Sequence, residues 1–186
     1  MKGGNIYLRP LTLSDTDLIV KWRNTDSVRK NLFSQELITP ESHKKYYNEY
    51  IETHKCHQFI LEQIVYENGN IYSFSVPVGT VYLKNIDHLN SKALIGVFIG
   101  EGVDRGKGFG KEAVQLILQY GFLQLGLNKV YLQVIYNNEK MIGICEEIGF
   151  LKEGKFREDY FRDGVYYDIE QLSILKSDFL HNIKID

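Results

Sequence analysis

Three glycines at alternate positions, in Arg105-Gly106-Lys107-Gly108-Phe109-Gly110, constrain this chain more than any other feature. They follow an apolar run, Ala93-Leu94-Ile95-Gly96-Val97-Phe98-Ile99-Gly100, and precede a helical stretch, Lys111-Glu112-Ala113-Val114-Gln115-Leu116-Ile117-Leu118. Strand, Gly-rich loop and helix in that order belong to α/β folds, and they aim backbone N–H groups at a ligand before the helix N-terminus. Glycine allows close approach of the backbone and φ > 0. Arg105 and Lys107 add positive charge where a pyrophosphate would lie. The loop is therefore expected to grip a phosphorylated ligand.

The spacing excludes two common phosphate sites. A dinucleotide fold needs G-x-G-x-x-G after the first strand and an acid about 20 residues on. Here the pattern is G-x-G-x-G, far into the chain. A P-loop needs G-x-x-x-x-G-K-[ST], and no hydroxyl residue follows Gly106-Lys107-Gly108. A turn with no ligand remains the alternative.

Composition narrows the class. The 186 residues read as one domain, 1–186, large enough for a core. With 22 basic and 24 acidic residues the net charge is −2, which argues against a general nucleic-acid binder. Cys56 and Cys145 are far apart, with no CxxC, so a reducing compartment is favoured over disulfide scaffolding. Met1–Asn5 shows no signal peptide, and no apolar stretch approaches about 20 residues. The expectation is a cytoplasmic protein with no membrane partner. No His/Cys/Asp cluster has metal-ligand spacing, so no metal is expected.

Along the chain, Ile6–Leu11 reads as a short strand, and Ser14 or Asp15 as the cap of a helix reaching about Asn24. Thr39-Pro40-Glu41-Ser42 opens a second helix, to about Glu52. Strands follow at 58–66, 76–86 and 92–99, with a turn at Glu67-Asn68-Gly69-Asn70. The helix after the glycine loop reaches about Leu125, with Ala113, Leu116, Ile117, Tyr120 and Leu123 or Gln124 inward. A strand at 130–135, a helix from Asn138 to about Ile148, and strands near 150–157 and 165–175 around Arg162-Asp163-Gly164 complete the order. The result is a mixed α/β sheet with helices on its faces.

At this point the chain resembles the GCN5-related N-acetyltransferases. Their signature [R/Q]-x-x-G-x-[G/A] is met by Arg105, Gly108 and Gly110. A second, N-x-x-A with a Tyr and then G-F, is partly met by Asn138, Gly149 and Phe150. Leu8-Arg9-Pro10-Leu11, Trp22-Arg23-Asn24 and Arg162-Asp163-Gly164 with Tyr167-Asp168 resemble the branch holding ribosomal-protein N-terminal, spermidine and amino-sugar nucleotide acetyltransferases. The resemblance implies a mostly antiparallel sheet of about seven strands with a splayed central pair and helices on both faces. It implies acetyl transfer from acetyl-CoA to a primary amine, by direct attack in a ternary complex.

Carried onto this sequence, it places the CoA pyrophosphate on residues 106–110, with Arg105, Lys107, Phe109 and Lys111 around it. The peptide-like pantetheine would pair with a strand edge at Phe98, Ile99 and Glu101, where Gly96 and Gly100 suit a bulge. Asn138 would reach the pantetheine, cap its helix, or both. An alkylammonium must lose a proton, and the leaving thiolate must gain one. The family's Tyr acid falls at Cys145, which is a thiol donor or a small packing residue. Glu62 and Glu101 are the base candidates, with surface charge as the alternative for each.

Trp22, Arg23, Asn24, Arg29 and His43 are the acceptor candidates. For His43 an ordinary exposed helix position is the alternative. Arg23 and Arg29 suit the phosphates of an amino-sugar nucleotide. A ribosomal-protein N-terminus or a polyamine is the alternative acceptor. A CoA-binding protein with little catalysis is the alternative of another class. A homodimer is compatible with all of these.

Overall fold

The computed structural model describes residues 1–67, 70–100, 104–136 and 138–182, with backbone alone at 66, 67 and 70–73. The elements are β1 (Ile6–Pro10), α1 (Thr16–Asn24), α2 (Asp26–Arg29), α3 (Pro40–Tyr46), β2 (Cys56–Glu67), β3 (Asn70–Asp87), β4 (Lys92–Ile99) and α4 (Phe109–Leu123), followed by β5 (Lys129–Ile135), α5 (Glu139–Ile148), β6 (Leu151–Arg162), β7 (Val165–Leu175) and α6 (Lys176–Asn182). They make the seven-stranded mixed sheet with helices that the sequence implies. The chain forms two compact units, Met1–Lys84 with Gly96–Ile117, and Asn85–Ile95 with Leu118–Asp186.

In the first unit β1, β2 and β3 are antiparallel, from Ile6↔Gln63 to Pro10↔Phe59 and from Cys56↔Lys84 to Glu67↔Asn70. The tip of the second hairpin, 68–69, lies outside the described residues. Gly100 N–H donates to the Val78 carbonyl at 2.9 Å, so β4 is held against β3 to its end. Leu11, Ile19, Trp22 and Ile60 form a core cluster, with Leu18, Ile38, Tyr47, Ile51 and Phe98 packed on it.

In the second unit the start of β4 runs parallel to β5, from Lys92↔Lys129 to Leu94↔Tyr131. This is the only parallel pairing among the described residues; β5–β7 and β6–β7 are antiparallel. The β6–β7 hairpin turns at Asp163-Gly164, φ +51° and +81°, as a two-residue Asp-Gly turn requires. β6 is exposed over most of its length.

Several boundaries differ from expectation. β3 begins at Asn70 and β6 runs to Arg162, because antiparallel partners carry both strands past their apolar stretches. The second helix is α-helical only to Tyr46 and continues as a wider turn, Tyr47–Ile51. On α4, Leu123 faces out at 55% exposure; Val114, Leu118 and Phe122 are buried instead. α6 was not expected, and Phe179 packs it on Phe122 with ring centroids 5.3 Å apart. Asp15 stands at the N-terminus of α1, but its carboxylate makes no cap bond to that helix and turns to Arg9.

Candidate functional site

The glycine loop folds as its sequence demands. Gly106 and Gly108 both have φ +83°, a conformation L side chains rarely adopt. A Cβ added at Gly106, Gly108 or Gly110 would meet no described atom within 4 Å. Glu112 N–H is the first to bond back, to the Gly108 carbonyl. The N–H groups of Phe109 and Gly110 precede it in the turn where a helix has no acceptors of its own. With the helix dipole they present a partial positive charge. Phe109 is buried and anchors the turn. Lys111 lies half-buried on it. Lys107 Nζ sits 3.0 Å from Asp104 Oδ1 and 5.8 Å from the Phe109 ring centroid. Glu112 accepts from Asn5 N–H at 2.9 Å and Ile6 N–H at 3.3 Å, which pins α4 to the start of β1.

Arg105 reaches back, donating to the Ile99 carbonyl at 3.3 Å and to Ser27 Oγ at 3.2 Å. It therefore ties loop to strand end. β4 is in register with β5 from Lys92↔Lys129 to Leu94↔Tyr131. Backbone groups alternate along a strand. Gly100 N–H points to β3, as does the Phe98 carbonyl, which closely approaches Gly79. Val97 and Ile99 thus turn their backbone groups away from β3, and Ile99 rather than Phe98 offers the pairing edge. Glu101 lies outside the described residues.

Gly96 and Gly100 each lie beneath an aromatic ring. A Cβ at Gly96 would overlap the Tyr82 phenol, and one at Gly100 would overlap the Trp22 indole. Both glycines make room for an aromatic ring lying on β4. Trp22 is accordingly in the core, 1% exposed and edge-on to Phe98 with centroids 6.3 Å apart. It does not offer its indole to an acceptor, and its Nε1 has no hydrogen-bond partner among the described residues.

Glu62 is buried and paired. Arg9 Nε donates to Glu62 Oε1 at 2.8 Å, and the same guanidinium grips Asp15 through two bonds of 2.7 and 2.8 Å. Burial alone would raise the Asp15 pKa, but Arg9 and the Thr12 N–H outweigh it and hold the carboxyl below its usual range. As a base Glu62 would have to work from within this ion pair.

His43 is buried, not exposed. Its Nδ1 lies 3.1 Å from Thr16 Oγ1. The single Thr16 hydroxyl proton goes to the Leu13 carbonyl at 2.7 Å, so His43 Nδ1 carries the donated proton. The deprotonated Nε2 is buried without a partner. Burial lowers the His43 pKa, against the opposing pull of Asp15.

Of the remaining acceptor candidates, Asn24 bonds the Ile38 carbonyl at 2.8 Å and the Ile38 N–H at 2.9 Å, closing the 25–38 segment. Arg29 pairs with Asp26 at 2.6 Å. Arg23 is half-buried and makes no ion pair with a described carboxylate.

In the second unit Asn138 caps α5, its Oδ1 accepting from Met141 N–H at 3.3 Å. Cys145 is fully buried, and burial, aided by Glu146, pushes its thiol up to about 12. Gly149, φ +107°, ends α5 in the left-handed conformation, and Phe150 is buried.

Sequence reading missed Arg9, Tyr82 and Lys84. Arg9 had been noted only within Leu8-Arg9-Pro10-Leu11, yet an Arg amid apolar strand residues signals a buried acid partner. Tyr82 was legible only through Gly96, since a glycine inside a strand marks close approach.

Comparison with known proteins agrees with this geometry. The acetyltransferase (GNAT) domain family matches residues 5–151. The spermidine N(1)-acetyltransferase of Vibrio cholerae is 28% identical over 179 residues, covering 96% of this chain and 98% of that protein. The Bacillus subtilis protein YjcK, named as a probable N-acetyltransferase, is 32% identical over 187 residues, 96% of this chain and 98% of YjcK. The crystal structure of the Vibrio cholerae spermidine N-acetyltransferase in complex with CoA and spermine superposes with a TM-score of 0.86 at 27% identity, over 96% of this chain and 99% of that one. Family match, sheet order and glycine cradle agree: the chain belongs to the GNAT acetyltransferase family.

Proposed function

We propose that residues 1–186 act as one acetyltransferase domain that transfers acetyl from acetyl-CoA to the primary amine of a small molecule. The observation that carries the donor half is the cradle of Gly106, Gly108 and Gly110 before α4. The CoA pyrophosphate rests on its N–H groups. The β4 edge takes the pantetheine amides in strand fashion, with Ile99 as its centre. An edge N–H of β4 donates to the developing oxyanion. Positioning amine and thioester together supplies much of the rate, so the chemistry depends less on one strong base. Glu62 is the described candidate base. Cys145 stands where the family has its Tyr acid, but burial pushes its thiol up to about 12, which makes it a poor proton donor beside an ordinary Tyr.

Spermidine is the first acceptor to test, because relatives matching nearly the whole chain carry that name. A nucleotide-linked amino sugar is the second reading, and half-buried Arg23, without a carboxylate partner among the described residues, favours it. Release of CoA thiol, followed with spermidine, an amino-sugar nucleotide and a peptide with a free N-terminus, tests the proposal. Turnover with one of them supports it. Tight acetyl-CoA binding with no turnover on any would make the chain a CoA-binding protein instead. Self-association belongs to the same reading, since the Vibrio cholerae protein has a dodecameric structure; light scattering checks it.

A further inference from the structure

Lys84, Tyr82, Tyr46 and Cys56, which no step above uses, stand together in the first unit. Lys84 pairs in register with Cys56 on β2, and its Nζ lies 5.5 Å from the centroid of the Tyr82 ring. The Tyr82 phenol lies over Gly96 of β4. Tyr46, on α3, donates its hydroxyl to Cys56 Sγ at 3.4 Å. Arg23, at the end of α1, completes the group. Burial is the main cause of every pKa shift here, raising both phenols and lowering Lys84. The charge of Arg23 acts on all three, opposing the rise of the phenols and deepening the fall of Lys84.

The composition of this group is unusual. Arg23 and Lys84 are both half-buried, yet neither makes an ion pair with a described carboxylate. Arg9 and Arg29, half-buried in the same unit, each hold a carboxylate: Arg9 with Asp15 and Glu62, Arg29 with Asp26. Partly buried like charges cost stability unless a counter-charge arrives. Tyr82 Oη makes no hydrogen bond to a described residue, so it too has a donor to offer.

We propose that Arg23, Lys84 and Tyr82 form a subsite for a phosphate group carried by the acceptor. Two full positive charges match a phosphate, which carries between one and two negative charges at neutral pH, better than a carboxylate. A guanidinium fork, an ammonium and a phenol hydroxyl are the donors such a group takes. The subsite also has a defined place. Gly96 lies three residues before Ile99 on β4, about 10 Å along the strand. An acceptor held here by its phosphate reaches the β4 edge near Ile99 with an amine one sugar ring away. This deepens the acetyltransferase reading and rests on it: the acceptor is a phosphorylated amine, and a bare polyamine is disfavoured by the same cations.

Calorimetric titration in two stages tests this. Wild-type, Arg23→Gln and Lys84→Met proteins are first saturated with CoA, which fills the glycine cradle, and then titrated with inorganic phosphate. The expected result is saturable phosphate binding to the wild type, weakened about ten-fold or more in each variant, as loss of a charged donor implies. CoA affinity stays at the wild-type value in both variants, which shows that they are folded. A spermidine titration of the same CoA complexes should show tighter binding to Lys84→Met than to the wild type. Absence of saturable phosphate binding, equal binding in all three proteins, or spermidine bound more weakly by Lys84→Met would each overturn the subsite. Failure of the wild type to bind CoA would instead overturn the donor reading, and the first stage reveals it separately.

Discussion

Replacing Gly108 by Ala separates the two jobs of the glycine cradle. At φ +83° an L side chain is strained, at a cost of roughly 1–2 kcal/mol. No described atom lies within 4 Å of the new methyl, so no steric clash adds to that cost. For a chain of this length each kcal/mol moves Tm by about 2–4 °C, so the ligand-free Tm should fall by roughly 2–8 °C. The effect on the donor should be larger. A hydrogen bond to a charged group is worth about 1.5–3 kcal/mol, so displacing the pyrophosphate from one N–H weakens acetyl-CoA by roughly 10- to 150-fold. Gly110→Ala is the internal control. Gly110 lies in the first turn of α4, also with no described atom within 4 Å of an added Cβ, and the family signature accepts Ala at this position. Removing a helical glycine should leave Tm unchanged or raise it by about 1–4 °C, with acetyl-CoA affinity retained. Differential scanning fluorimetry and calorimetric titration read both variants. Wild-type acetyl-CoA affinity in Gly108→Ala, alongside the expected fall in Tm, would refute a backbone cradle for the pyrophosphate.

Three further outcomes follow from the described contacts. Arg9→Met strands Asp15 and Glu62, whose side chains are 7% and 6% exposed, and should cost about 3–5 kcal/mol in urea unfolding; a loss under 1 kcal/mol would mean that both carboxyls find other partners. Burial depresses the folded-state pKa of His43, so its stabilising contribution is complete above about 6.5 and declines as pH falls through that value. The wild-type Tm should accordingly drop between pH 7.5 and 5.5 more steeply than that of His43→Leu, whereas the depressed Asp15 is lost only below its ordinary value near 3.8; parallel profiles would show that His43 does not titrate with folding. With its thiol pushed up to about 12, Cys145 is a poor acid, so Cys145→Ala should lower Tm yet keep kcat within a few-fold; a kcat loss beyond about ten-fold at unchanged KM would make Cys145 the proton donor.

The donor side was legible because it is written in backbone. Gly106, Gly108 and Gly110 declare their conformation locally, and Gly149 with Phe150 does the same at the end of α5. Strands and helices with their own periodicity, such as β5 and α5, were likewise readable. The acceptor side was not, because it depends on tertiary partners. Nothing local says that Glu62 meets Arg9, that His43 turns inward to Thr16, or that Trp22 lies on Gly100. α6 escaped for the same reason: a helix of seven residues is stabilised by packing, here Phe179 on Phe122, more than by its own propensity. The rings over the glycines of β4 were not legible either, because a missing side chain does not say which neighbour takes its space.

The resting place of Trp22 also fixes what stands next to it. The indole fills a recess that only a glycine at position 100 leaves, so α1 cannot slide or roll along β4 without expelling a core ring. Trp22 is a dowel between helix and strand, and Arg23 is the residue immediately beyond the peg. Its backbone position is thereby indexed to β4. A relative with a different acceptor can exchange the residue at 23 and keep the frame. Altering position 100 or 22 alone would lose the alignment, and only a paired change, a smaller ring with a larger residue beneath it, would restore it.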